Sequence, residues 1–185
     1  MPSESVLLYV LIVSCEIAFW FVLLLSLAVR YVLGRHRLSL WLLMTLPLID
    51  LLLLAFAALD LKSGTTATFA HGLTAAYVGF TVAFGSTVIR WADARFAYRF
   101  AAGPKPEPSP TKGWEAVRFD LKLWLRCIVA CVITVVLIDA IIAFVANGDV
   151  TQPLLAWYKH AFGCVLFWFL FGPVWSLLFS WQRAR

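Results

Sequence analysis

The chain has 185 residues, of which 63% are hydrophobic and only 14% are charged, and its mean hydropathy is +0.89. This composition excludes an ordinary soluble domain, in which about a quarter of the residues are charged. The formal net charge of +5 does not indicate nucleic-acid binding, because the basic residues lie mainly between long apolar segments, as they do in membrane proteins.

Five apolar segments are long enough to cross a bilayer, since a membrane-spanning helix needs about 20 apolar residues. The sequence therefore predicts an all-α, multi-pass protein of the plasma membrane, folded as a single bundle of five transmembrane helices. The predicted spans cover approximately residues 6–29, 38–61, 69–91, 127–146 and 161–181.

The distribution of Lys and Arg predicts the orientation of this bundle. Of the 15 basic residues, 13 lie on one side of the predicted spans, and only Lys62 and Lys159 lie on the other. Because connections rich in Lys and Arg stay in the cytoplasm, the N-terminus is predicted to lie outside and the C-terminus in the cytoplasm.

The long connection between the third and fourth spans, residues 92–126, is predicted to be a basic cytoplasmic loop. Its centre, residues 103–110, contains four prolines and is typical of an extended spacer. Its two ends mix aromatic and basic residues, as helices at a membrane interface do. Arg95, Arg99 and Arg118 are therefore candidates for docking to anionic lipids or to a partner. The alternative is an ordinary cytoplasmic excess of basic residues with aromatic anchors.

Three acids, Glu16, Asp50 and Asp139, lie deep inside predicted spans. With a rise of about 1.5 Å per residue, each lies roughly 12–18 Å from an end of its span, near the middle of a hydrocarbon core about 30 Å thick. An ionisable side chain at this depth costs roughly 2.5–3.5 kcal/mol, and neighbouring like charges cannot all be ionised there. We interpret the three acids as one site that binds protons or cations. The alternative is separate protonated acids that form hydrogen bonds for packing.

A second group of polar residues lies at the predicted outer ends of three helices. Asp60, His71 and His160 offer one carboxylate and two imidazoles, which can ligate a divalent metal, or the imidazoles can ligate a haem. Solvated histidines at the interface are the alternative, and the sequence identifies no particular cofactor. The four cysteines all lie within predicted spans and are interpreted as packing residues.

Three segments carry a resemblance to a known family. Residues 44–50 (MTLPLID), 71–73 (HGL) and 90–96 (RWADARF) resemble an uncharacterised family of small five-helix integral membrane proteins of high-GC Gram-positive bacteria. The resemblance covers most of the chain. It implies a bacterial plasma membrane and no activity.

The sequence favours a small membrane carrier or channel-like protein that binds protons or cations. No Walker motif, Gly-x-Ser-x-Gly or His-Glu-x-x-His occurs, so an enzyme is not expected. One alternative is a non-catalytic membrane scaffold or accessory subunit that docks through residues 92–126, and a second is a haem- or metal-binding membrane protein. Because so small a bundle buries little surface, we expect a homo-oligomer or a subunit of a larger membrane complex.

Overall fold

The computed structural model describes residues 2–100, 103–110 and 113–179. Within them the chain is all-helical, and five segments are long and apolar enough to cross a membrane, which confirms the predicted fold class. The helices are α1 (Pro2–Tyr31), α2 (His36–Lys62), α3 (Phe69–Phe100), α4 (Gly113–Val145), α5 (Gly148–Thr151), α6 (Ala156–Phe169) and α7 (Trp175–Phe179).

The fifth candidate span is built from three short helices. A 3₁₀ turn, Gln152–Leu155, leads from α5 into α6, and a π-helical turn, Leu170–Val174, joins α6 to α7. The π-helical turn contains Pro173, which has no backbone N–H and so cannot continue a regular α-helical ladder. Ser176 donates a hydrogen bond to the Asp120 carboxylate of α4, so the fifth span stays attached to α4 beyond this irregular turn.

The helices α2, α3 and α4 form the centre of the bundle. In each of their spans, 28% of the residues in the most apolar 18-residue stretch are buried, whereas only 6% are buried in the corresponding stretch of the first and the fifth span. α1 packs beside α2, and α6 packs beside α4. The first and fifth spans are therefore peripheral and expose most of their apolar surface, as helices facing lipid do.

Glycines allow α3 to approach its neighbours closely. A Cβ atom added to Gly79 would lie 2.5 Å from the Ala130 carbonyl oxygen of α4, and one added to Gly72 would lie 1.8 Å from Trp157 Nε1 of α6. Small residues at such contacts are typical of helix packing in membranes. These two positions therefore fix the separation of α3 from α4 and α6.

The two ends of the bundle are held together in different ways. At one end, a cluster of buried apolar residues joins the 63–68 connection to the α5 region, and the Ala67 N–H donates to the Val150 carbonyl at 2.9 Å. At the other end, Arg30 of α1 forms a 2.5 Å ion pair with Asp93 of α3, and Tyr31 donates to the same carboxylate at 2.8 Å. Polar contacts thus connect α1 to α3 where the apolar core ends.

Candidate cation-binding site

Asp50 lies in the middle of α2. It precedes Lys62 by 12 residues, which places it about 18 Å from that end of the helix. The residue is only 3% exposed, and its carboxylate accepts a hydrogen bond of 2.9 Å from Thr81 Oγ1 of α3. Pro47 lies one turn earlier without interrupting the helix. Asp50 is therefore a buried acid at membrane depth.

The Asp50 side chain faces a cavity of about 330 Å³ between α1, α2 and α3. The described lining contains no Lys or Arg, so no cationic side chain of the lining compensates the carboxylate. The wall is mostly apolar and aromatic, and its other polar side chains are those of Thr81 and Tyr77. The remaining lining residues are Cys15, Phe19, Trp20, Ile49 and Leu53.

The structure does not bring the three predicted acids into one site. Asp139 lies on the exposed surface of α4, where its carboxylate accepts a hydrogen bond from the Tyr158 hydroxyl of α6, and it does not line the cavity of Asp50. Glu16 follows Cys15 in α1, but its side chain lies outside the described residues. Asp139 therefore does not share the described lining of the Asp50 cavity, and its hydrogen bond goes to α6 instead.

Asp60 and His71 form a buried pair across the connection between α2 and α3. His71 Nε2 lies 3.1 Å from Asp60 Oδ2, and the Thr68 backbone N–H donates to His71 Nδ1 at 3.1 Å. Because Nδ1 accepts this hydrogen bond, the ring proton of the neutral imidazole lies on Nε2 and points to Asp60. Neither ring nitrogen of His71 has a lone pair left for a metal or a haem.

His160 lies in a different environment. Its exposed ring contacts Trp157, with centroids 5.4 Å apart, and Phe69, with centroids 5.8 Å apart. Among the described residues, the ligating atoms of His160, His71 and Asp60 do not converge within 4.8 Å. The structure therefore does not assemble the metal site that the sequence predicts from these three residues.

The candidate docking arginines lie where α3 and α4 extend beyond their apolar segments. Arg95 covers the Trp91 ring at 4.4 Å, and Arg118 covers the Trp114 ring at 5.9 Å. Arg95 and Arg99 also line a groove of about 710 Å³ between α3 and the 103–110 segment. The structure thus brings two of the three arginines together and leaves Arg118 on a separate helix.

Comparison with known proteins places the chain in a family. It is 42% identical over 144 residues to the Uncharacterized membrane protein YmcC of Bacillus subtilis (strain 168), covering 78% of the chain and 77% of that relative. The chain belongs to the YmcC family. No family model and no solved structure matches it.

Membership in the YmcC family confirms the multi-pass membrane location and the resemblance to an uncharacterised membrane-protein family. The high-GC Gram-positive source that the resemblance implied is not supported by the match to Bacillus subtilis.

In this YmcC-family bundle, sequence reasoning missed a group of three cysteines. The sulfur atoms of Cys127, Cys131 and Cys164 all lie within 4.8 Å of one another. The first two are four residues apart and so share a face of α4, which the sequence does indicate. Cys164 joins them only because α6 packs beside α4, and no sequence motif marks that pairing.

Proposed function

We propose that this membrane protein is a small non-catalytic carrier or channel-like protein that binds a proton or a cation at Asp50. The observation that carries the proposal is the burial of Asp50 at membrane depth, facing a cavity, with Thr81 as its hydrogen-bond donor among the described residues. An ionised carboxylate in such apolar surroundings requires a positive partner, and without one it takes up a proton. Exchange between these two states is the elementary step of carrying a cation.

The cavity favours a proton or an organic ammonium ion over a bare divalent metal ion. Hard divalent ions take six or more oxygen ligands, whereas the described lining side chains with oxygen atoms are those of Asp50, Thr81 and Tyr77. An organic cation instead binds to aromatic faces, which Phe19 and Trp20 supply beside the carboxylate. The volume of about 330 Å³ lies within the range of small-molecule sites, about 300–1,000 Å³.

Carbodiimide labelling of the purified protein tests this proposal. A hydrophobic carbodiimide adds to a protonated carboxyl group, so we expect mass spectrometry to find Asp50 modified at mildly acidic pH. Raising the pH or adding a quaternary ammonium ion should slow this labelling, because both remove the protonated form. Asp139, the exposed acid on α4, is an internal control whose labelling the ammonium ion should leave unchanged. If the ammonium ion does not protect Asp50 selectively, the site binds a proton but not an organic cation. If the labelling of Asp50 does not depend on pH, the proposal is contradicted.

The orientation of the bundle is part of the same proposal. The excess of Lys and Arg beside the 103–110 segment supports a cytoplasmic location for that segment and an external one for the N-terminus. A membrane-impermeant maleimide should therefore label Thr66→Cys on intact cells and Ser109→Cys only after permeabilisation. The opposite pattern would invert the orientation.

A second candidate function is that of an accessory subunit, in a homo-oligomer or a larger complex, anchored by anionic lipid. The groove lined by Arg95, Arg99 and Lys105 supports it, because clustered basic side chains beside a span attract anionic headgroups. Native mass spectrometry should show fewer retained phosphatidylglycerol molecules on Arg99→Gln than on Arg118→Gln, whose residue does not line this groove. Equal retention would remove the support for this function.

A further inference from the structure

Three thiols from two helices meet inside the bundle, away from Asp50. Cys127 and Cys131 of α4 are buried, and Cys164 of α6 is half-buried. The sulfurs of Cys127 and Cys164 are 3.8 Å apart, and all three lie within 4.8 Å of one another. Near these thiols, a hydrogen bond also joins α4 to α6: Trp124 Nε1 donates to the Val165 carbonyl at 3.1 Å.

The separations of the sulfur atoms, one of 3.8 Å and all within 4.8 Å, are compatible with a three-coordinate metal thiolate. With a metal–sulfur distance of about 2.3 Å, a trigonal arrangement separates the sulfurs by roughly 4.0 Å. Thiolate ligands select soft ions, chiefly Cu(I) and Zn(II). Structural zinc sites take four ligands, whereas the group found among the described residues supplies three. A three-coordinate ion therefore fits this set of donors better.

An ion can reach the thiols from one side. Cys131 and Cys164 line a cavity of about 440 Å³, and the imidazole of His160 lies on the same cavity wall. His160 is exposed, and its ring nitrogens do not belong to the group of ligand atoms that lie within 4.8 Å of one another.

We infer that Cys127, Cys131 and Cys164 form a binding site for Cu(I). Each thiol that becomes a thiolate ligand releases one proton when the ion binds, and no electron is transferred. The site is separate from the cation binding proposed at Asp50, because Asp50 lines one cavity and Cys131 and Cys164 line another.

Competition for Cu(I) tests this inference. The reduced full-length protein in detergent, kept free of oxygen, is titrated with Cu(I) against a chromogenic Cu(I) chelator. We expect one Cu(I) per chain, together with ultraviolet absorption from thiolate-to-copper charge transfer. Cys164→Ser should weaken binding by more than about tenfold, since even outer-shell partners of metal ligands contribute 10- to 100-fold.

Two further variants make the result decisive. Cys15→Ser removes the thiol that lies outside the group and should retain wild-type Cu(I) affinity. Cys131→Ser should behave as Cys164→Ser does, which keeps the test valid if either variant fails to elute as a folded protein in gel filtration. Wild-type affinity in both ligand variants, absence of bound copper in the folded wild type, or retention of Zn(II) in preference to Cu(I) would overturn the inference.

Discussion

The paired residues Asp60 and His71 determine how the chain turns from α2 into α3. Asp60 lies in the last turn of α2 and His71 in the first turn of α3. Thr65 Oγ1 donates to the other carboxylate oxygen of Asp60 at 3.1 Å. The Asp60 carboxylate therefore links α2 both to His71 of α3 and to the connection between the two helices. Both side chains are nearly buried, at 11% and 10% exposure, and each hydrogen bond therefore replaces lost contact with water.

Replacing Asp60 should destabilise the protein without affecting the cation binding that we propose at Asp50. Asp60→Ala leaves the Nε2–H group of His71 without its acceptor, and an unsatisfied buried polar group costs about 1–3 kcal/mol. Asp60→Asn retains an oxygen acceptor and should cost less. Thermal unfolding in detergent measures both, with Asp149→Ala, a change at an exposed acid of α5, as the control. Equal melting temperatures for Asp60→Ala and Asp149→Ala would show that the Asp60–His71 pair does not contribute to stability.

At the residue scale, the sequence predicted the depth of Asp50 but not its surroundings. Depth follows from position within an apolar run, because a helix rises by a constant amount per residue. The hydrogen bond from Thr81 and the cavity that Asp50 shares with Tyr77 depend on how α2 and α3 are oriented against each other, which tertiary packing decides. Asp139 has a similar predicted depth, but its carboxylate accepts a hydrogen bond from Tyr158 of α6 instead, and the sequence does not indicate this orientation.

At the element scale, the close approach of α3 and α4 depends on Gly79. A methyl group at this position would meet the Ala130 carbonyl and Thr134 Oγ1 at 2.5 and 2.6 Å, and backbone atoms cannot move aside as a flexible side chain can. We expect Gly79→Ala to cost about 1–3 kcal/mol, as overpacking typically does, and to lower the melting temperature.

Gly85 of the same helix provides the matched control for Gly79. No atom of the described residues lies within 4 Å of a Cβ atom added there, and Ala has a helix propensity about 1 kcal/mol better than Gly. Gly85→Ala should therefore melt at or above the wild-type temperature. If Gly79→Ala and Gly85→Ala have the same melting temperature, the α3–α4 contact is not as close as the structure indicates.

The sequence predicted the number of spans and interfacial helices at both ends of the 92–126 connection, but not the division of the fifth span. Long apolar runs identify a span because the hydrocarbon core requires them. α3 continues to Phe100 and α4 begins at Gly113, so both ends of the 92–126 connection are helical. The division of the fifth span into α5, α6 and α7 also depends on packing that single-sequence patterns do not contain.

At the scale of the whole molecule, the proposed cation site lies between the centre and the periphery of the bundle. The central helices supply Asp50 and Thr81, and the peripheral α1 supplies Cys15, Phe19 and Trp20. Because only 6% of the α1 window is buried, the wall that α1 contributes lies on the peripheral side of the bundle.

Ion flux in proteoliposomes tests the role of Asp50 most directly. Vesicles containing wild-type protein, Asp50→Asn or Asp139→Asn are compared for proton flux with an enclosed pH-sensitive dye and for uptake of a quaternary ammonium ion. Asp50→Asn keeps the shape of the side chain and removes its charge and titration. We predict flux at the level of protein-free vesicles for Asp50→Asn and wild-type flux for Asp139→Asn. Wild-type flux in Asp50→Asn, or equal loss in the two variants, would contradict the assignment of the site to Asp50.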